Sequence, residues 1–192
     1  MSLIFFVIWL GQKKVHMDQL IEKADKFVLN LFKEKLPNTF IYHNYKHTQR
    51  VVKSTKELID NSEINVKDKE ALLLAAWLHD TGYTRTFRGH EKESVDIATS
   101  FLKEQNATPE LIEKVQQYIK ATCFDTEPKT LPEKIIRDAD SSHFSKDYFE
   151  ETSELLRQEL ELQNIKNFTA PEWVQENIEM LTEKHQFYTT YA

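Results

Sequence analysis

The sequence predicts an all-α fold. Its 192 residues include only three glycines and five prolines, so few positions favour turns or helix breaks. The long segments between them are rich in Leu, Glu, Lys, Gln and Ala, which are good helix formers. Apolar residues in these segments recur every three or four positions, which is the period of an amphipathic helix. The length suits one domain with a sizeable core.

The first three predicted helices follow from this spacing and from the residues that end them. The first runs from about 17 to 36 and ends at Pro37, which has no backbone N–H. The second opens at Tyr42 and ends near Asn61. The third leads from Val66 to Asp80. Its stretch from Ala71 to Leu78 is apolar on all sides, so we expect the rest of the fold to surround it.

Capping signals mark the later helices. His90 opens one helix, and Thr108 with Pro109 supplies an N-cap and a first helical residue for the next. Leu131 and Pro132 begin another. Two more amphipathic helices are predicted near 148–162 and 171–185. No domain linker interrupts the pattern, so residues 17–192 are predicted to form a single domain.

An apolar run, Leu3–Leu10, precedes this domain. It is far shorter than the ~20 residues of a membrane-spanning helix, and no basic residue precedes it as in a signal peptide. Because the amphipathic pattern begins at Met17, we expect residues 1–16 to be an apolar N-terminal extension or an expression remnant. An apolar segment needs a groove on its own body or on a neighbouring subunit, so a homo-oligomer through it is one expectation.

The central helix ends in His79 and Asp80, just before Gly82. An imidazole and a carboxylate at the end of an apolar helix cannot be buried cheaply unless a partner compensates them. A divalent cation is one such partner, and a helix-end cap is the alternative. The pair alone does not decide between the two, because His-Asp is a common dipeptide.

His43 and His47 are four residues apart in the predicted second helix, so both are expected to point to its core-facing side. Each could be a satisfied core or cap histidine. An i,i+4 pair upstream of the His79–Asp80 motif favours a metal or catalytic site instead.

Two further inward-facing groups are predicted. His90 leads the apolar row of its helix and so faces the interior. In the Arg137–Asp140 segment, Asp140 lies on the same side as Ile136 and is predicted to reach the interior, whereas Asp138 is expected in solvent or paired with Arg137 or Lys134. A buried carboxylate needs a cation or several hydrogen-bond donors.

Cations flank this predicted site. Arg85 and Arg88 follow the end of the central helix, and Lys46 lies beside His47. Guanidinium groups suit phosphate oxygens, so these residues are candidate substrate-binding groups, although the arginines could equally pair with acidic residues at the surface. The net charge of −6 argues against a nucleic-acid surface but is compatible with a local phosphate pocket. The single cysteine, Cys123, indicates a reducing, cytoplasmic compartment.

Taken in order, His47, His79–Asp80 and Asp140 resemble the H…HD…D signature of the HD-domain superfamily of metal-dependent phosphohydrolases. Tyr42–Asn44 with His47 also looks like the opening motif of the cyclic-nucleotide phosphodiesterases. The resemblance covers about residues 42 to 142. It is most similar to a group of small bacterial predicted HD phosphohydrolases, and it implies an all-α, phosphodiesterase-like helical bundle.

The resemblance also implies residue roles. His47, His79, Asp80 and Asp140 would hold one divalent ion, and His43 would be a general acid, as in the phosphodiesterases. His90 has no counterpart in the four-residue signature, so it is a candidate for a second metal or for phosphate contact.

The predicted reaction is hydrolysis of a phosphate ester or anhydride of a nucleotide-like small molecule by metal-activated water. Asp80 or Asp140 would orient or deprotonate the water, and His43 or His90 would serve the leaving group. Nitrogen and oxygen ligands suit Mn²⁺, Fe²⁺, Co²⁺, Ni²⁺ or Zn²⁺ better than Mg²⁺.

Two alternative functions are a non-catalytic metal- or nucleotide-sensing module and an HD-fold iron oxygenase. The oxygenase needs a six-ligand site, and no histidine lies between His90 and Asp140 to complete one.

Overall fold

The computed structural model describes the backbone of residues 3–192 and the side chains of residues 17–192. This part of the chain contains α-helices, 3₁₀ and π turns and no strand, which confirms the predicted all-α class. The α-helices are α1 (Leu3–Lys35), α2 (Tyr45–Asp60), α3 (Val66–Leu78), α4 (His90–Glu104), α5 (Pro109–Ala121), α6 (Leu131–Asp140), α7 (Phe149–Leu162) and α8 (Ala170–Glu179).

Helix α3 is the centre of the fold, as its all-round apolar sequence predicts. It packs against α1, α2, α4, α5 and α6. Leu72, Leu74 and Leu78 are fully buried on it, and each such side chain contributes about 1.5–3 kcal/mol by leaving water. The end of α3 is therefore held rigidly by several neighbouring helices.

Local capping sets where the helices begin. Asn65 caps α3 by accepting the Asp68 N–H, and Thr108 caps α5 directly before Pro109, as predicted. Thr130 and Glu133 form a reciprocal capping box at the start of α6. Caps of this kind typically contribute about 1 kcal/mol each.

Two helix starts differ from the prediction. Helix α1 begins at Leu3, so the backbone of the apolar run continues into the first helix of the domain rather than stopping before Met17. The side chains of residues 1–16 lie outside the described part of the structure. Helix α2 begins at Tyr45, not Tyr42, because the Asn44 side chain accepts the N–H groups of the first turn. His43 therefore lies in the turn before α2.

The chain after α8 folds back onto α6. A π turn, Met180–Lys184, follows α8 in place of the predicted helical end at His185. Tyr188 and Thr189 then donate their backbone N–H groups to Asp138 over 2.8–3.1 Å, and the Thr189 hydroxyl adds a bond of 2.7 Å. The expectation that Asp138 faces solvent is wrong, because this tail covers it completely.

Arg137 also departs from the expected pairing with Asp138. Its guanidinium donates to the backbone oxygens of Ala121 and Phe124 at 2.8 and 3.2 Å, and also to those of Cys123 and Thr126. These carbonyls lie at and beyond the end of α5, where helix carbonyls lack intrahelical partners. Arg137 thus ties the start of the α5–α6 loop to α6.

Candidate metal centre

Three helices bring four predicted ligand residues to one point. His47 lies in the first turn of α2, His79 and Asp80 follow the last residue of α3, and Asp140 is the last residue of α6. Helices α2, α3 and α6 contact one another pairwise, so these helix ends are fixed relative to each other.

The four side chains surround a common centre. The His47 Nε2 atom lies 3.3 Å from an Asp80 oxygen and 3.2 Å from an Asp140 oxygen. The His79 Nε2 atom lies 3.2 and 3.4 Å from the same two oxygens. Donor atoms of His47, His79 and Asp80 all fall within 4.8 Å of one another, as they must if they are to coordinate one ion.

Hydrogen bonding prepares His79 to act as a ligand. Its Nδ1 atom lies 3.0 Å from the Ala76 carbonyl oxygen, which can only accept, so Nδ1 carries the proton. The Nε2 lone pair then faces Asp80 and Asp140. Anchoring of one ring nitrogen to a carbonyl is the usual support for a metal-binding histidine.

Unsatisfied buried atoms favour a cation at this centre. The His79 Nε2 and Asp80 Oδ2 atoms are buried and have no hydrogen-bond partner within the described residues. Leaving such groups unpaired costs about 1–3 kcal/mol each, and more when the group is charged. A divalent cation would satisfy both atoms at once, so the residues fit the metal that their chemistry implies.

The charges of the cluster act in the same direction. Burial disfavours ionisation of Asp80 and Asp140, but the neighbouring His79 and His47 outweigh it and lower the pKa of each carboxyl below its usual range. Burial likewise opposes a charge on His79, yet Asp80 and Asp140 raise the pKa of its imidazole well above the ordinary value. Both carboxylates are therefore ionised at neutral pH, and they attract either protons on the histidines or a cation.

His90 lies at the edge of the same cluster. Its Nδ1 atom lies 3.2 Å from the Phe87 carbonyl oxygen, and its Nε2 atom lies 3.6 Å from the second oxygen of Asp80. The ring stacks on Tyr83 with centroids 3.8 Å apart. Burial lowers the pKa of His90, so the ring is neutral at pH 7 and its Nε2 atom is free to accept.

His43 is paired with a residue that the sequence does not single out. Its Nδ1 atom lies 2.5 Å from Oε1 of Glu159, and the other Glu159 oxygen accepts the backbone N–H groups of Tyr42 and His43 at 2.7 and 3.0 Å. Glu159 lies on α7 and is completely buried. Its only sequence signal is a seven-residue spacing from Thr152, also buried, which places both on one helix face.

Tyr42 and His143 complete one wall beside the histidines. The Tyr42 ring packs against His43 and His47 with centroids 4.6 and 5.0 Å apart. Its hydroxyl lies 3.2 Å from Nδ1 of His143. Burial lowers the pKa of His143 to about 4, which leaves this ring neutral near pH 7.

The three predicted substrate-binding cations lie on the surface. Lys46 reaches Glu151 at 3.8 Å, and Arg85 pairs with Glu93 at 2.9 Å. Arg88 is exposed. The pair of Arg85 is the surface alternative that the sequence left open for the arginines. Exposed pairs such as those of Lys46 and Arg85 contribute only about 0–1 kcal/mol.

Comparison with protein-family models identifies one family. The model of the HD domain matches residues 44–145, which is more than half of the chain and spans His47, His79, Asp80 and Asp140. No curated protein and no solved structure matches the chain. The buried histidine–aspartate cluster and this family match together show that the chain belongs to the HD domain family.

Proposed function

We propose that the protein is a metal-dependent phosphohydrolase that cleaves a phosphate ester or anhydride of a nucleotide or another small phosphorylated molecule. The observation that carries this proposal is the cluster of His47, His79, Asp80 and Asp140, in which the buried His79 Nε2 and Asp80 Oδ2 atoms have no hydrogen-bond partner within the described residues. The His43–Glu159 pair beside it supports catalysis over metal binding alone, because a sensor needs no proton donor.

In this proposal His47, His79, Asp80 and Asp140 hold one divalent ion. Their mixed nitrogen and oxygen atoms favour Mn²⁺, Fe²⁺, Co²⁺, Ni²⁺ or Zn²⁺ over Mg²⁺. Such an ion, when bound, activates water and offsets the charge of the phosphoryl oxygens. The aromatic and aliphatic residues around the cluster exclude solvent and so strengthen these interactions.

His43 is the proposed general acid. Glu159 accepts the Nδ1 proton of His43 and holds the orientation of the ring. The Nε2 proton of His43 is then available to the leaving oxygen as its bond to phosphorus breaks. His90, neutral and with Nε2 near Asp80, is the alternative partner of the leaving group or a contact for phosphate.

Asp80 and Asp140 have the second acid–base role in the proposal. Both are held ionised, so either can accept a hydrogen bond from the attacking water and direct its lone pair toward phosphorus. Lys46, Arg85 and Arg88 offset the remaining phosphate charge. Because the surface pairs of Lys46 and Arg85 are weak, a phosphate can displace their present partners.

The same reasoning gives the proposed partners and location. A net charge of −6 favours a small phosphorylated substrate over a nucleic acid. Among the residues whose side chains are described, no helix combines the length and apolarity that crossing a membrane requires. The free thiol of Cys123 is compatible with the proposed cytoplasmic location. Self-association through residues 1–16 stays a proposal.

The test is phosphate or nucleotide release from a panel of phosphomonoesters, cyclic nucleotides, other phosphodiesters and nucleoside triphosphates. Chelator-treated protein is supplied with Mn²⁺, Mg²⁺, Co²⁺ or Ni²⁺, and Asp80→Ala is compared with the exposed control Asp96→Ala. Metal-dependent turnover that is lost only in Asp80→Ala supports the proposal. Tight metal binding without turnover of any substrate contradicts it and favours a sensing module.

A further inference from the structure

A cation that the sequence does not single out lies one helical turn beyond the metal-binding histidine of α2. Arg50 follows His47 by three residues, so both project from neighbouring positions of the same helix. The Arg50 side chain is partly buried. Its guanidinium lies over the Tyr148 ring, 4.7 Å from the centroid.

Arg50 differs from Lys46 and Arg85 in its partner. Those two cations contact carboxylates, whereas the contact that the structure shows for Arg50 is with the ring of Tyr148. A guanidinium has five N–H donors, and an aromatic face satisfies none of them with a lone pair. Its donors therefore stay available to a ligand.

The surroundings of Arg50 belong to the wall of the metal centre. Tyr148 immediately precedes Phe149, whose ring stacks on His143 at 6.2 Å, and His143 contacts the Tyr42 hydroxyl. Tyr42 in turn packs on His47.

We propose that Arg50 is a substrate-binding residue that takes phosphate oxygens of the substrate at the α2–α7 side of the metal centre. This inference rests on the proposed function and adds to it a specificity residue. The planar guanidinium fits two oxygens of one phosphate, which a lysine at this position could not match. A charge-assisted hydrogen bond is stronger than an exposed cation–π contact, so Tyr148 holds the guanidinium in position without preventing phosphate binding.

The alternative is a structural role, in which Arg50 only joins α2 to the start of α7. The two roles differ in what a substitution changes. Loss of a structural contact lowers stability and affects every binding property together. Loss of a phosphate contact lowers affinity for the anion and leaves metal affinity unchanged.

The experiment measures binding of inorganic phosphate to the full chain loaded with Mn²⁺, by calorimetry, together with Mn²⁺ affinity and the melting temperature. Arg50→Gln and Arg50→Met are compared with Lys53→Gln, an exposed cation on the same helix that pairs with Glu57. Arg50→Met keeps the apolar stem against Tyr148, so it keeps the packing even if the glutamine variant folds poorly.

We expect both Arg50 variants to bind phosphate about tenfold more weakly or worse, with Mn²⁺ affinity unchanged, and Lys53→Gln to match the wild type. The phosphate affinity of Arg50→Lys should lie between that of the wild type and that of the other two Arg50 variants. Raised salt should reduce the difference in phosphate affinity between wild type and variants. Unchanged phosphate affinity in Arg50→Met would overturn this inference alone. Failure of the Mn²⁺-loaded wild type to bind phosphate would instead overturn the proposed function, and this inference with it.

Discussion

Oε1 of Glu159 lies 2.5 Å from Nδ1 of His43, although the two residues are 116 positions apart in the chain. The second carboxylate oxygen is fixed by two backbone N–H groups, so the carboxylate cannot rotate away. This arrangement sets the tautomer of His43, with the proton on Nδ1 donated to Glu159 and Nε2 left for proton transfer.

The variant Glu159→Gln tests whether catalysis needs the hydrogen bond that His43 donates to Glu159. The glutamine oxygen can still accept the two backbone N–H groups, but its NH₂ group then faces Nδ1 of His43. Because both groups would be donors, Nδ1 must lose its proton, and the ring can no longer carry protons on both nitrogens as a general acid requires. We expect kcat for the substrate found in the panel to fall about 100-fold, with Mn²⁺ affinity unchanged.

The exposed neighbour on the same helix provides the control. Glu161→Gln should retain wild-type kcat, because Glu161 faces solvent. If Glu159→Gln also retained wild-type kcat while remaining folded, His43 would not be the general acid.

The fold was largely predictable from local patterns. The all-round apolar composition of α3 and the Thr108–Pro109 start of α5 are short-range signals, and the structure confirms both. The motif residues His47, His79, Asp80 and Asp140 were also identified from order and spacing, and the structure brings their side chains together, while their roles stay predictions.

What local patterns missed depends on distant chain segments. Asp138 and Asp140 are two residues apart on different faces of α6, so only one was expected to be buried. The tail from Tyr188 covers the face of α6 that carries Asp138. The sequence of α6 itself contains no signal for this contact. The role of Glu159 was missed for the same reason, because its partner His43 lies far away in the sequence.

The tail contact gives a second prediction. Asp138→Asn keeps the size of the side chain but places an NH₂ group against the N–H donors of Tyr188 and Thr189. We expect the free energy of unfolding to fall by about 2–3 kcal/mol, because hydrogen bonds to a buried charge are lost. Chemical denaturation measures this loss, and limited proteolysis should cut the tail sooner than in the wild type.

Asp125→Asn is the matched control, since Asp125 is exposed. Its stability should stay within about 0.5 kcal/mol of the wild type. A tail equally resistant to protease in Asp138→Asn and in the wild type would show that Asp138 does not anchor it.

A third prediction concerns pH and the network that joins α3 to α5. Asp68 accepts from Lys114 and Tyr118, both at 2.6 Å, and from Asn65. Burial opposes ionisation, but these three donors outweigh it and lower the pKa of Asp68. Its contribution to stability is therefore present above the unfolded pKa of about 3.9 and is lost as pH falls through the lower folded value.

The measurement is the free energy of unfolding of the wild type and of Asp68→Asn between pH 7 and pH 2.5. We expect a difference of about 2 kcal/mol at pH 7 that shrinks below about pH 4. The exposed control Asp60→Asn should differ little from the wild type throughout. A difference between wild type and Asp68→Asn that grew on acidification would contradict the assigned direction.

The last prediction compares two glycines near the candidate site, which are required for different reasons. A Cβ atom on Gly82 would lie 1.9 Å from the His90 carbonyl oxygen and 2.8 Å from the Ser94 nitrogen. Gly89 has open space around it, but its φ of +71° is in the left-handed region. Gly82→Ala must therefore push the turn after Asp80 away from the start of α4, whereas Gly89→Ala only strains its own backbone.

We expect Gly82→Ala to lower the free energy of unfolding by about 3 kcal/mol or more, and Gly89→Ala by about 1–2 kcal/mol. Because the turn at Gly82 directly follows Asp80, only Gly82→Ala should also weaken Mn²⁺ binding. Urea denaturation with parallel metal titration tests both statements. Equal losses of stability and equal Mn²⁺ affinities in the two variants would mean that the turn after Asp80 can move without disturbing the cluster. Close packing of this turn against α4 would then not position the Asp80 carboxylate.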